Sequence, residues 1–503
     1  MLLLGIDAGT SVIKCALFDL SGEEVTVVRR KIPFRSPQLG WAEHDMDNVQ
    51  EATFSAIKEA INLGEAKGET VAAVGITGQS AGTFIVDRDM RPVKAILWRD
   101  QRAKSLVQEW SKAGLDRRFQ ELTGWPLLPD FAPVQLAWLK KYEPDTLARA
   151  RWIIGGIDWL AYHLTSDLRV VSTAMVTCIN PRDRTYDKTI LDLLNVSECE
   201  SLFPTDLVDP WEIVGVVSDR ASSLTGLKKG TPVVSAGYDQ TCNTLGAGGV
   251  SRGDAVTVLG TAGGNALVVD KYTPPDGTLI SCTPHAAPNR WIMLGESHTA
   301  TLNLDWFISQ FCREESKEAE KRDISVHKVC EEKIRDIPVA SGGIIYQPFL
   351  YGEVSPFFEP NAKSSFFGIK GDQTKYHLMR SVYEGVGYSI KDNYDAILEL
   401  TKTKLQSITL AGGGAKSELW AQMIADINGC EVYVTNAAEI GAKGAAICAA
   451  KAVNIFTSVE EAARSLVQTK NTFLPDISAA KSYQKAYMAY RNLRRILVPI
   501  WNM

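Results

Sequence analysis

The sequence predicts an α/β protein of two domains, each a mixed sheet flanked by helices, with a cleft between them. Three observations predict it. At 503 residues the chain exceeds the size at which one hydrophobic core keeps growing. Its opening runs strand, strand, strand, helix, strand, the order of a mixed sheet packed against helices. The pattern that begins the chain, an apolar strand, a Gly/Thr turn and a second apolar strand, returns halfway along.

Leu2 to Ile6 is an apolar run, Asp7-Ala8-Gly9-Thr10 is rich in turn formers, and Val12 to Phe18 is apolar again with Lys14 set into it. Ser21-Gly22 closes a second turn before a strand over Glu24 to Arg30. Apolar positions at helical spacing predict a helix over Met46 to Leu63, capped by Asp45 or Asp47. Strands follow over Thr70 to Thr77 and from Gly82 to Val86. In the second half Ala255 to Leu259, the turn Gly260 to Gly264 and Asn265 to Val269 repeat the opening. Later come a long helix over Leu378 to Leu400, a strand over Gln406 to Leu410, the loop Gly412-Gly413-Gly414 and a helix over Ser417 to Ile427. A small-residue helix opens at Gly441, and Ser478 to Ile500 ends the chain as a helix. No low-complexity linker separates the halves, so the domains, 1–248 and 249–503, meet along a tight hinge.

Composition narrows the function. Hydrophobic content of 45% and charged content of 22% are those of a globular protein. A net charge of −5 without a long Lys/Arg run excludes a nucleic-acid footprint. The apolar run at the N-terminus is too short for a signal-peptide core, and no stretch nears the roughly 18 apolar residues of a membrane span. Nine scattered cysteines and six histidines form neither a disulfide framework nor a zinc pattern. These features predict a soluble, cytoplasmic protein.

Both Gly/Thr turns suit phosphate. Glycine lets backbone N–H groups approach closely, and Thr hydroxyls add donors. Gly9, Thr10 and Ser11 form one such set, Gly260 and Thr261 the other, and Lys14 adds a positive charge. Asp7, at the strand end, is placed to hold Mg²⁺ directly or through water. Ordinary hairpins use the same residues; two matching turns favour a phosphate clamp. The Gly412–Gly414 loop offers little side chain, which suits a nucleoside lying against it. Neither a Gly-x4-Gly-Lys-Ser/Thr loop nor a dinucleotide fingerprint occurs. Asp239 follows an apolar strand ending at Gly237 and begins a helix, where the macrodipole favours its ionised form. A carboxylate there can accept a hydroxyl proton during phosphoryl transfer, or simply cap the helix.

These pieces resemble the FGGY family of carbohydrate kinases, within the actin, Hsp70 and hexokinase superfamily. Gly5-Ile6-Asp7-Ala8-Gly9-Thr10-Ser11 with Lys14 looks like its first phosphate hairpin, and Gly40-Trp41-Ala42-Glu43-His44-Asp45 is similar to its G-W-x-E-x-D segment. Gly75 to Gln79, Trp98-Arg99-Asp100-Gln101-Arg102 and Gly237-Tyr238-Asp239-Gln240 resemble further motifs. Ser364 to Ile369, seven residues, then His377 to Glu384 fits the C-terminal signature, and Ala411 to Ser417 and Glu439 to Ala442 look like it too. The resemblance covers nearly the whole chain.

It implies two actin-like (ribonuclease H-like) domains, ATP and Mg²⁺ mainly on the second and sugar mainly on the first. By that resemblance Asp239 is the base, Asp7 and Asp239 lie at the metal, and Thr10 and Thr261 contact the transferring phosphate. Gly412, Gly413 and Lys416 border the adenosine. Gln79, Ser80, Trp98, Asp100, Asp158, Asp239 and Gln240 are the sugar-side candidates, with Trp98 equally at home in a core. A homodimer is implied by the family alone.

Gly78-Gln79-Ser80-Ala81-Gly82 stands where glycerol kinases carry Asn-Gln-Arg-Glu and xylulokinases Gly-Gln-Met-His-Gly. The missing Arg-Glu pair argues against glycerol. The frame fits a pentulose such as xylulose; a Gln-small-small-Gly segment also resembles the L-xylulose and erythritol kinase branches, so erythritol or another short polyol is the alternative. An actin- or chaperone-like ATPase using the same clamp without a sugar acceptor, and a sugar-binding regulator without turnover, complete the readings.

Overall fold

The computed structural model describes residues 1–64, 70–175, 177–436 and 438–503. Two large sheets organise them. The first has six strands in the order Ile213–Val216, Pro232–Tyr238, Val71–Gly78, Leu2–Ala8, Val12–Phe18, Glu24–Lys31. The second has seven: Ser281–Pro284, Trp291–Ser297, Gly263–Val269, Ala255–Leu259, Ser407–Ala411, Glu431–Thr435, Thr469–Phe473. Apart from the added Ser281–Pro284 edge, the two follow one plan. Three consecutive neighbours run antiparallel; two parallel strands extend the first of them, and an antiparallel strand closes the edge. The repeat predicted from two Gly/Thr turns is therefore a repeat of whole sheets.

Most predicted elements stand where the pattern placed them. Val12–Phe18, Met46–Leu63 and Ala255–Leu259 have the predicted bounds, and Asp45, not Asp47, caps the helix by accepting from the Asn48 N–H. Ser417 caps Glu418–Asn428. Two local readings are corrected. Gly263 and Gly264 belong to the strand, because they pair with Ser297 and Glu296, so the second turn is Gly260 to Ala262. Asp239 is the first residue of the helix Asp239–Gly246 rather than its cap, which is Tyr238.

The chain does not separate cleanly at its midpoint. The helix Ile440–Ala452, from the second half, packs Ala442, Ala445 and Ala446 into one core with Leu3, Ala73 and Val234 of the first sheet. The approach is backbone to backbone: a Cβ on Gly5 or Gly75 would lie 2.0 Å from the carbonyl oxygen of Ala442 or Ala445. The same helix presses on Asp239–Gly246, where a Cβ on Gly444 would meet the Cys242 carbonyl at 2.0 Å. Small residues at its start thus serve a close crossing between halves. Among the described residues no helix is long and apolar enough to cross a membrane.

Candidate active site

The first hairpin and two parallel strands beside it bring their carboxyl ends together. Asp7 pairs in register with Lys14 across the hairpin and with Thr77 on the neighbouring strand, and Thr77 pairs in turn with Gly237. The Thr77 hydroxyl donates to the Gly237 carbonyl at 2.7 Å, fixing the backbone two residues before Asp239. Asp7 and Asp239 therefore lie at one end of one sheet, where ligands of α/β sheets bind.

Charge is concentrated there. Lys14 Nζ lies 3.1 Å from Asp7 Oδ2 and 3.4 Å from Glu439 Oε2, and Arg29 also pairs with Glu439. The first turn of the crossing helix lies against Asp7, since a Cβ on Gly441 would come within 3.1 Å of Asp7 Oδ2. Burial holds the Asp7 carboxyl above the ordinary range, with Lys14 opposing. Asp239 is pushed well above it, first by burial, then by the charges of Asp7 and Glu296; the Gln240 N–H and Lys14 oppose. A carboxylate held out of its relaxed state in a cleft is the pattern of a functional group.

The second hairpin approaches the helix that begins at Asp239, since a Cβ on Gly264 would lie 3.4 Å from Gln240 Oε1. Gly260 and Thr261 are tied to the helix Thr301–Phe311 by Thr301 N–H to Gly260 O at 3.0 Å and Ala300 N–H to Thr261 O at 2.8 Å, leaving the Thr261 side chain exposed. The glycine loop abuts this hairpin through the Val258–Ala411 pairing. Gly412 has φ of +89° and packs beside the Leu259 carbonyl, while Gly413 faces open space. Lys416 is exposed at the end of the loop.

Residues 2–246 match the N-terminal domain of the FGGY family of carbohydrate kinases, and residues 255–453 its C-terminal domain. The chain belongs to the FGGY family of carbohydrate kinases. It is a phosphotransferase that acts on a hydroxyl of a sugar or polyol with ATP as donor. The chain is 30% identical over 494 residues to a probable L-xylulose kinase of Haemophilus influenzae, covering 97% of each. It is 29% identical to the L-xylulose/3-keto-L-gulonate kinase of Escherichia coli, over 97% of this chain and 96% of that one. The crystal structure of ligand-bound xylulose kinase from Lactobacillus acidophilus superposes with a TM-score of 0.89 at 23% identity, covering 100% of this chain and 99% of that one. That likeness shows the fold.

In this FGGY kinase Gln79, Trp98 and Thr10 form one network with His44. Trp98 Nε1–H donates to Thr10 Oγ1 at 2.7 Å, Thr10 Oγ1–H to Gln79 Oε1 at 3.2 Å, and Gln79 Nε2 lies 3.2 Å from His44 Nδ1. Trp98 is 45% exposed, so it lines a surface instead of filling a core. Ser80 is buried and donates to the Ala174 carbonyl. Ala81 is held at φ +74°, a strained conformation for a residue with a Cβ and one that fixes the Gln79–Gly82 segment. Gln240 reaches across to Glu296, Nε2 to Oε1 at 3.4 Å.

Two sugar-side candidates have their carboxylates engaged by the protein itself. Asp100 is fully buried and accepts from the Ala42 N–H, the Arg102 N–H and the Arg102 guanidinium, all within 2.9 Å. Asp158 is buried and accepts from the Gly155 and Val171 N–H groups and the Ser235 hydroxyl. Asp100 accepts four bonds from the protein and Asp158 three, and each organises backbone.

Three carboxylates and a histidine absent from the sequence-derived set do gather there. Glu296 and Asp130 are both pushed up to about 7, each chiefly by burial, with Asp130 also facing the charges of Glu296 and Asp100. Phe131, next to Asp130, packs on Trp125, which packs edge-on against Tyr238 at 5.8 Å. Glu439 pairs with Lys14, and His44 closes the Gln79 network. Glu439 and His44 stood inside quoted motifs; for Asp130 no local pattern marks it.

Proposed function

We propose that this kinase phosphorylates an uncharged pentulose such as xylulose, with Asp239 as general base. The observation that carries the reading is the convergence of Asp7 and Asp239 at one sheet end, beside the Thr10 turn. In the reaction the acceptor hydroxyl oxygen forms a bond to the γ-phosphorus of ATP while the bond from that phosphorus to the bridging oxygen breaks. The hydroxyl proton passes to an Asp239 carboxylate oxygen, and ADP leaves. The raised affinity of Asp239 for a proton suits that transfer. N–H groups and hydroxyls of Gly9, Thr10, Ser11, Gly260 and Thr261, with Lys14, would hold the phosphates; Gly412, Gly413 and Lys416 would border the adenosine. Gln79, Ser80, Trp98 and Gln240 would line the acceptor side, joined by Asp130 and Glu296.

Asp7 and Asp239 form an oxygen-only donor set, which fits a hard divalent cation that keeps most of its waters. They would hold Mg²⁺, which when bound neutralises phosphate charge.

An erythritol-like polyol remains the second acceptor class, favoured by the small Ser80 and Ala81. We read residues 1–248 and 249–503 as the two domains, with Ile440–Ala452 crossing back onto the first. Nine free, buried cysteines support a reducing cytoplasm. A homodimer is carried over from the family.

An ADP-release assay with Mg-ATP across ketoses, aldoses and polyols, run beside Asp239→Ala, tests the reading. Turnover with one pentulose or tetritol, abolished in the variant, is expected. Turnover without an acceptor, or surviving the substitution, would overturn Asp239 as base and favour an ATPase.

A further inference from the structure

With His44 neutral, the network around Gln79 admits one consistent placement of protons. An indole nitrogen can only donate, so Trp98 Nε1 at 2.7 Å makes Thr10 Oγ1 an acceptor. The Thr10 hydroxyl proton is then directed to Gln79 Oε1 at 3.2 Å. With Oε1 accepting, Gln79 offers its Nε2 protons to His44 Nδ1 at 3.2 Å, so that nitrogen carries a lone pair. His44 Nε2 lies 2.8 Å from the Thr10 carbonyl oxygen, which can only accept, so the ring proton sits on Nε2. The path leaves Thr10 through its hydroxyl and returns to its carbonyl.

We propose that His44 is a positioning residue whose neutral Nε2–H tautomer locks the acceptor-side Gln79 and Trp98 to the phosphate-side turn at Thr10. The proposal rests on the kinase reading of the cleft. A proton on Nδ1 would set donor against donor, and relief would require the Gln79 amide to turn over. Its Nε2 would then face Thr10 Oγ1, whose hydroxyl proton would have to turn away. One protonation is thus felt by acceptor and phosphate sides together.

The surroundings keep His44 neutral. Its burial holds it below the ordinary histidine value, opposed by its bond to the Thr10 carbonyl. The carboxylates nearby are committed to cations: Asp45 to Arg35, Glu43 to Lys94 and Arg102, and Asp7 to Lys14. Because the folded-state value is depressed, the stability contributed by the ring is full above the ordinary histidine value and is lost as pH falls through the depressed one.

Long-range ¹H–¹⁵N spectra of the full chain labelled at histidine nitrogens, with the His44 signals assigned through His44→Gln, test the tautomer without turnover. A protonated Nε2 and bare Nδ1 at neutral pH are expected; an Nδ1–H tautomer or an imidazolium would overturn the proposal. Kinetics with the active acceptor test the coupling. In the wild type the KM for acceptor should rise about tenfold on acidification through the His44 transition, the effect of losing a hydrogen-bonded pair. His44→Gln supplies an amide donor and acceptor but cannot titrate, so the acid rise set by His44 should be missing from its profile, leaving only the titration of Asp130 and Glu296 near 7. His44→Phe should show the raised KM at every pH, with kcat moved less. Wild-type KM and an unchanged acid rise in His44→Phe, or the same acid rise in His44→Gln, would overturn it. Absence of turnover with every acceptor would instead sink the kinase reading while the spectra still decide the tautomer.

Discussion

Lys14 stands opposite Asp7 across the first hairpin, and its ammonium bridges Asp7 and Glu439, one carboxylate from each half of the chain. Lys14→Met should therefore remove both the cation beside the phosphate turn and a tie between halves. We expect kcat/KM for ATP to fall about a hundredfold, the usual loss for one preorganised charge in such a site. Steady-state kinetics at varied ATP checks this.

Asp239→Asn should separate activity from stability. Turnover should drop by about a thousandfold or more with the base removed. The Asp239 value is raised in the folded state, so the fold binds this proton more readily than the unfolded chain does. Its carboxyl favours folding below the ordinary carboxylate value, and that advantage is lost as pH rises through the raised value. At neutral pH the amide should raise the Tm, which calorimetry would show; a lowered Tm contradicts the strained carboxylate.

Glu296 raises the proton affinity of Asp239 by its charge. Glu296→Gln should shift the acidic limb of the kcat/KM profile toward lower pH. The same change should relax discrimination against anionic acceptors such as an aldonate, because four carboxylates, Asp7, Asp130, Asp239 and Glu296, otherwise confront such a group. The ratio of kcat/KM for a pentulose and an aldonate, measured in both proteins, reads it.

Glycines in two places should behave in opposite ways. Gly413→Ala places a methyl in open space and should leave the unfolding transition near that of the wild type while raising the KM for ATP. Gly75→Ala drives a Cβ to 2.0 Å from the Ala445 carbonyl and should cost about 1–3 kcal/mol or more in urea unfolding.

Local periodicity made the sheets legible, because alternating and helical apolar spacings are properties of short windows. The hairpins, the Met46–Leu63 helix and the Gly412 loop were all visible that way. The partners of Asp100 were not legible because a carboxylate between Trp98 and Arg102 looks free in sequence, whereas folding turns Arg102 back onto it and against Trp41. Asp130 and Glu296 escaped notice as a pair because the charge of one reaches the other only in the folded chain, and no local spacing encodes proximity between segments so far apart. The partner of the Gly441–Ala446 helix start was hidden for the same reason: its small residues were plain, the sheet they serve was not.

That crossing helix also governs how the halves can move. With backbone seated on backbone at Gly5, Gly75 and Gly444, there is no room there for sliding. Asp7 lies against this seam, since a Cβ on Gly441 would come within 3.1 Å of its Oδ2, so a larger residue at Gly5, Gly75 or Gly444 would disturb the cleft and the join between halves at once.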